Sequence, residues 1–304
     1  VMKKILERPP DAFIGVDYPE FNLSIESKLK RRGIKTIHVV SPSFWAWREN
    51  RVKTFSKKVD LMLCLFPFEE SLLHKNGVNS KYIGHPLADK IPLEIDKQRA
   101  KESLDIKDDF VITLMPGSRR NELKYHASIM FDAANKLSKD LYNLDQRTIR
   151  FLVPTQFPDL QDFLIMDHQD DSEKYMFLND ASKAIPASDL VITKSGTSTL
   201  ESAIFKKPTI VVYKMPTISF YLLKVLNIVK TEYAALPNIL LGREIFPELI
   251  QNEVTPQNIT KKALEILNHE DEMDQTIKDL KELHYSLRKN SALKSAEAIE
   301  EIVA

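Results

Sequence analysis

The sequence predicts an α/β protein: two open, doubly wound domains with parallel sheets, followed by carboxy-terminal helices. Short apolar runs rich in β-branched residues alternate with helix-period segments, the pattern of repeated strand–helix units. A length of 304 residues suits about two domains of roughly 150 residues each. The units fall into two series, separated by a charged, proline-bearing stretch from Pro86 to Asp109.

In the first series, residues 11–16 (DAFIGV) read as a strand, 22–32 as a helix, and 34–40 (IKTIHVV) as a second strand. Gly33, directly after Lys30-Arg31-Arg32, is placed to stop that helix. A helix near 48–57, a strand at 60–65 and a helix at 68–76 follow. The second series has a strand at 110–115 (FVITLM), a helix at 120–138 and a strand at 149–153. After a weakly periodic region to 188 come a strand at 189–193, a helix at 198–206 and a strand at 209–213. From Thr255 the pattern is helical, with Pro256 in a first turn and Leu264, Leu267, Leu280, Leu283 and Leu287 at helical spacing. The expected organisation is an amino-terminal Rossmann-like domain over 1–95, a second over 96–255, and helices over 256–304 packing across domains or subunits. A doubly wound domain has at least five or six strands. The first series supplies three or four, so the amino-terminal domain reads as small or incomplete.

Composition narrows the function. Lys+Arg 43 balances Asp+Glu 43, which argues against a broadly basic nucleic-acid surface. With 43% hydrophobic and 28% charged residues, the chain can bury a sizeable core. Cys64 is the single cysteine and lies in the apolar run Leu61 to Leu65, which suits a buried thiol in a reducing compartment and points to the cytoplasm. The seven histidines show no HxxxH or HExxH spacing and no GxSxG elbow is present, so neither a metal nor a serine hydrolase is expected.

Two strand ends carry candidate phosphate sites. The strand at 110–115 runs into Pro116-Gly117-Ser118-Arg119 and then a helix, whose first N–H groups and positive dipole end favour an anion. Gly117 permits close backbone approach, Ser118 can donate or cap, and Arg119 offers a planar fork of donors; an ordinary capped turn would use the same residues. The strand at 189–193 runs into Lys194-Ser195-Gly196-Thr197, rich in hydroxyl and N–H donors but neither a P-loop nor a GxGxxG fingerprint. One turn on, the Glu201 carboxylate can accept from a sugar diol or simply face solvent. Asp17 closes the first strand as a candidate general base, or as the start of a turn before Pro19. Trp45 and Trp47 give the loop after the second strand an aromatic wall for sugar rings or acyl chains, or an anchor beneath the loop. The apolar segment 216–230 fits either a core helix or one lying at a lipid surface.

Seven segments in order resemble the lipid-A-disaccharide synthases, inverting glycosyltransferases of the GT-B fold. They are PDAFIGVDYPEFN (10–22), GIKTIHVVSPSFWAWR (33–48), LFPFE (65–69), YIGHPLAD (82–89), LMPGSR (114–119), SGTSTLE (195–201) and LPNILLGREIFPELIQ (236–251). The resemblance implies transfer of 2,3-diacylglucosamine from its UDP donor to 2,3-diacylglucosamine 1-phosphate, releasing UDP, with no cofactor and no metal. It implies work at the inner face of the cytoplasmic membrane and a homodimer formed through the carboxy-terminal helices. It assigns Asp17 as general base, and Arg119 with the Ser195-Gly196-Thr197 turn to the departing UDP. Gly117 and Ser118 join the same diphosphate site, Glu201 holds the ribose, and Asn238 lines the cleft. Relatives begin with about 80 further residues, including a glycine-rich first turn, so the resemblance implies an amino-terminal domain short of its first strand–helix units. A UDP-N-acetylglucosamine epimerase, or a non-catalytic nucleotide- or lipid-binding remnant, are the alternative readings.

Overall fold

A computed structural model describes residues 1–43, 49–106, 110–145, 148–157, 173–217, 220 and 231–304. The chain divides into two compact units, one comprising Val1–Ile91 with Tyr285–Ala304, the other Pro92–Leu222 with Glu232–His284.

The first unit opens with α1 (Met2–Glu7), β1 (Ala12–Val16), α2 (Pro19–Lys30) and β2 (Lys35–Val39). A 3₁₀ helix, Glu49–Lys57, stands where the sequence predicts an ordinary helix; its buried Val52 and Phe55 are three residues apart, the spacing that eclipses in a threefold helix. Then come β3 (Leu61–Cys64), α3 (Pro67–Lys75), β4 (Ser80–Tyr82) and α4 (Pro86–Lys90). The four strands pair in parallel in the order β1-β2-β3-β4. Alternation sorts β3 onto both faces. Met62 and Cys64 pack with Leu23, Phe55 and Leu73, whereas Leu61 and Leu63 pack with Ile37, Ile83 and Ala298 of the carboxy-terminal helix.

That last helix is held by the 82–89 segment. Asp89 accepts the N–H groups of Lys289, Asn290 and Ser291 at 3.0, 2.9 and 2.6 Å, ahead of a helix beginning at Ser291. Burial works against its charge, but these donors hold its carboxyl below the ordinary aspartate range. Gly84 is required beside it, because its φ is +84° and a Cβ there would lie 2.7 Å from the Leu287 carbonyl oxygen.

The second unit contains α5 (Lys97–Glu102), β5 (Phe110–Met115), α6 (Arg120–Asp145), β6 (Ile149–Pro154), β7 (Tyr175–Leu178) and α7 (Ala181–Ala187). It continues with β8 (Leu190–Lys194), α8 (Thr197–Ile204), β9 (Thr209–Tyr213), α9 (Leu236–Leu241), β10 (Glu248–Ile250) and α10 (Pro256–Asn268). α11 (Glu270–Leu287) runs from this unit into the first, where α12 (Ser291–Val303) ends the chain. The helices after Pro256 thus divide between the units. β4, β7 and β10 are not distinguished in the sequence, being three or four residues long and without clear alternation.

The second sheet is wholly parallel, ordered β10-β9-β8-β5-β6-β7. From β5 the chain builds outward through β6 and β7, then returns to β5's other side and builds outward through β8, β9 and β10. The reversal falls between β5 and β8, and the carboxyl ends flanking such a switch point are where open α/β sheets bind ligands.

Candidate active site

Pairing of Met115 with Thr193 brings the turns after β5 and β8 side by side. After β5, Gly117 takes a φ of +136°, and a Cβ on it would stand 2.6 Å from Cβ of Glu122. Glycine is therefore demanded by the glutamate that folds back over it. Oε2 of Glu122 accepts the Ser118 N–H at 3.0 Å, and Oε1 lies 3.2 Å from both the Arg119 guanidinium and the Lys194 ammonium. Burial opposes the charge on Glu122, but the Ser118 N–H and Lys194 outweigh it and hold the carboxyl below the ordinary glutamate value. Ser118 is exposed, and the Arg119 side chain is 79% exposed and free to reach a ligand.

The turn after β8 is tied from below. Thr193 and Ser198 share a hydroxyl–hydroxyl bond of 2.8 Å, and Thr199 Oγ1 donates to the Gly196 carbonyl at 2.8 Å. Ser195 is buried: its N–H donates to Val212 O and its hydroxyl to Ala234 O at 2.8 Å, so its side chain anchors the 234–238 segment. Gly196 and Thr197, exposed at the start of α8, are what the turn presents outward. Glu201 lies half-buried further along α8.

Asn238 has a different place from the one the resemblance implies. It is fully buried; its Oδ1 accepts from the N–H groups of Ile245 and Phe246, and its Nδ2 donates to Phe246 O and to Glu248. An amide has two donors and two acceptor sites, all four used here. Asn238 therefore shapes the 243–248 loop and has nothing left to offer a ligand. Glu248 completes the brace by accepting the N–H groups of Ala234 and Ala235 at 2.7 and 2.9 Å.

Other supporting residues escape sequence reasoning. His126 receives the Lys214 N–H on Nε2 at 3.0 Å, which assigns its proton to Nδ1, facing Glu122 O at 2.7 Å. Burial keeps this imidazole neutral, its pKa lowered, and the ring ties the first turn of α6 to the chain leaving β9. Gln251 bonds both backbone groups of Met215 at 2.7 and 3.2 Å. The spacing of Glu122 and His126, one helical turn apart just past a candidate anion turn, was the one local signal available. Lys194 stands in the hydroxyl-rich turn read as a phosphate site, but nothing local marks its pairing with Glu122, and Gln251 has no local signal.

Asp17 lies in the first unit, exposed at the end of β1. Its φ is +51° and that of Tyr18 is +45°, two successive left-handed residues without a glycine. Such a conformation is uncommon and costly, and it gathers at functional sites. Asn22 holds it, donating to the carbonyls of Val16 and Asp17 at 3.1 and 2.7 Å, while the Asp17 N–H bonds Val39 O at 2.8 Å. Among the described residues the Asp17 carboxylate has no partner. In the same unit, Glu26 of α2 and His38 of β2 form a fully buried hydrogen-bonded pair at 3.0 Å. Trp45, Trp47 and nearly all of the 216–230 segment lie outside the described residues. Among those described, no cluster of three or more His, Cys, Asp or Glu side chains is arranged to hold a metal ion.

Parallel sheets of this order, with glycine-bearing strand-to-helix turns at the switch point, define a GT-B protein, the fold shared by nucleotide-sugar transferases and epimerases. Solved structures agree. A UDP-GlcNAc 2-epimerase from Neisseria meningitidis bound to UDP-GlcNAc superposes with a TM-score of 0.62 at 12% identity, over 98% of this chain and 78% of that one. A putative UDP-N-acetylglucosamine 2-epimerase from Listeria monocytogenes gives 0.60 at 15% identity, over 91% and 71%. At such identities the likeness is one of fold. Sequence decides within the fold: residues 1–303 match the lipid-A-disaccharide synthetase family, and the chain belongs to it. The lipid-A-disaccharide synthase of Burkholderia pseudomallei (strain K96243) is 40% identical, with 99% of this chain aligned to 76% of the relative. That of Paraburkholderia phymatum is 39% identical over 98% and 75%. The chain is thus a glycosyltransferase of lipid A biosynthesis.

Proposed function

We propose that this chain transfers 2,3-diacylglucosamine from its UDP donor to the 6-hydroxyl of 2,3-diacylglucosamine 1-phosphate. The hydroxyl oxygen attacks the anomeric carbon as its proton passes to Asp17, the sugar–phosphate bond breaks, and UDP leaves in a single inverting displacement. The observation that carries the reading is the meeting, at one switch point, of the turn bearing Arg119 with the Gly196-Thr197 turn, beside Lys194. Cations and free N–H groups there oppose the charge that builds on departing UDP. Gly117 and Ser118 shape the diphosphate site, Ser195 supports it, and Glu201 holds the ribose. The exposed carboxylate of Asp17, fixed on a strained backbone, suits a base that must meet an incoming hydroxyl.

Both substrates carry acyl chains, so the reaction belongs at the inner face of the cytoplasmic membrane. Attachment there is peripheral; among the described residues no helix is long and apolar enough to cross a membrane. Half-exposed apolar residues Tyr285 and Leu293 on α11 and α12 support pairing of two chains there.

The test is a transfer assay with both acylated substrates, reading disaccharide 1-phosphate and UDP together. Asp17→Asn should lose at least about a hundredfold in kcat while retaining UDP affinity. UDP release without disaccharide, or full activity of the variant, would refute the assignment.

A further inference from the structure

Two cations from different strand ends converge on one carboxylate oxygen. Arg119 follows β5 and Lys194 closes β8, yet each lies 3.2 Å from Oε1 of Glu122. Like charges this close repel, and the carboxylate between them offsets that repulsion. Glu122 is in turn held by the Ser118 N–H on its other oxygen and by the bare backbone of Gly117 beneath its stem. The two cations differ in freedom. Arg119 is 79% exposed, whereas Lys194 is 19% exposed and has its ammonium 5.7 Å from the centre of the Tyr213 ring. Lys194 is the fixed cation of the pair.

Gly196 shows where that cation points. Among the described residues beyond its chain neighbours, a Cβ on Gly196 would meet one atom within 4 Å, the Lys194 ammonium at 3.7 Å. Among the described residues the space over this glycine is otherwise open, and it is bordered by Lys194 and the first turn of α8. One ammonium proton faces Glu122, which leaves two for an anion placed there.

We propose that Lys194 is a phosphate-binding residue that lets this site discriminate a nucleoside diphosphate from a monophosphate, and that Glu122 is the positioning residue that aims it. The inference rests on the UDP reading above. The terminal phosphate of UDP lies over Gly196 against the ammonium. Arg119, on its longer and freer side chain, follows the same phosphate as charge develops on it. UMP lacks that phosphate and does not reach Lys194.

The experiment measures binding of UDP, UMP and uridine to the full 304-residue chain by titration calorimetry, with thermal unfolding as a control. Lys194→Met should weaken UDP by about tenfold or more, the scale of one lost charge-assisted hydrogen bond, and leave UMP and uridine unchanged. Glu122→Gln keeps an oxygen for the Ser118 N–H but loses the charge that holds Lys194, and should weaken UDP selectively too. Equal weakening of all three ligands, or unchanged UDP affinity in Lys194→Met, overturns the proposal. A wild-type chain that binds UDP with this selectivity but forms no disaccharide refutes the transfer reading alone. A wild-type chain that binds none of the three overturns both.

Discussion

Replacing His38 with alanine should cost the first unit much of its stability, and the size of the loss follows from what surrounds Glu26. Both side chains of the pair are 0% exposed, and both carboxylate oxygens of Glu26 lie against His38 Nδ1, at 3.0 and 3.1 Å. No other hydrogen bond reaches that carboxylate among the described residues, and Gly15, paired with His38 in the sheet, presses bare backbone against it. Removing the imidazole strands a buried carboxyl group without its hydrogen-bond partner, at a cost of about 3–5 kcal/mol. A domain has only about 5–15 kcal/mol in hand, so the variant should sit near its unfolding threshold. Replacing both partners, as Glu26→Met with His38→Leu, should recover most of the loss, because the desolvation cost of the two polar side chains disappears with them. Urea unfolding gives the totals, and hydrogen exchange of the Ile37, Val39 and Met62 amides isolates this sheet from the other. A loss below about 1 kcal/mol in His38→Ala, or a double variant as unstable as the single one, would refute the reasoning.

Two further outcomes concern the second unit. Lys207 is buried, donates to Ser188 O at 2.8 Å, and is held down to about 7 by burial with the nearby charge of Lys97 adding to it. An unfolded lysine keeps its proton to about 10.4, so between these values the unfolded chain binds more protons and stability rises with pH. Urea midpoints across that window should rise less steeply in Lys207→Met, and parallel slopes would sink the assignment. Asn238→Ala strands the Ile245 and Phe246 N–H groups and should lower stability by about 2–4 kcal/mol, while UDP affinity below the new melting transition stays near wild type. A large loss of UDP affinity in a folded variant would restore Asn238 to the ligand.

Much of the fold was legible because it is written locally. The strands at 110–115 and 209–213 appear as read, since fully buried parallel strands are short runs of apolar, mostly β-branched residues. The turn at Gly117 was legible for the same kind of reason: a glycine between a strand and a helix has few other uses. The short strands β4, β7 and β10 were not, because three or four residues carry too little pattern, and their pairing is decided by neighbours far away in sequence.

The site divides along the same line. Sequence by itself determined the family, the two glycine-bearing turns after β5 and β8, the acid at the end of β1, and the glycines that let backbone approach backbone. Only the tertiary structure decided that β8 takes the side of β5 opposite β6. It also decided that Glu122 gathers Arg119 and Lys194 onto one oxygen, and that the Asn238 amide is spent inside the protein. Strand order and the convergence on Glu122 depend on contacts between residues some 70 positions apart, such as Glu122 and Lys194, and the partners of Asn238, though near in sequence, are fixed by the fold of a loop without periodicity. Local periodicity records which face of an element is buried but says nothing about what it is buried against.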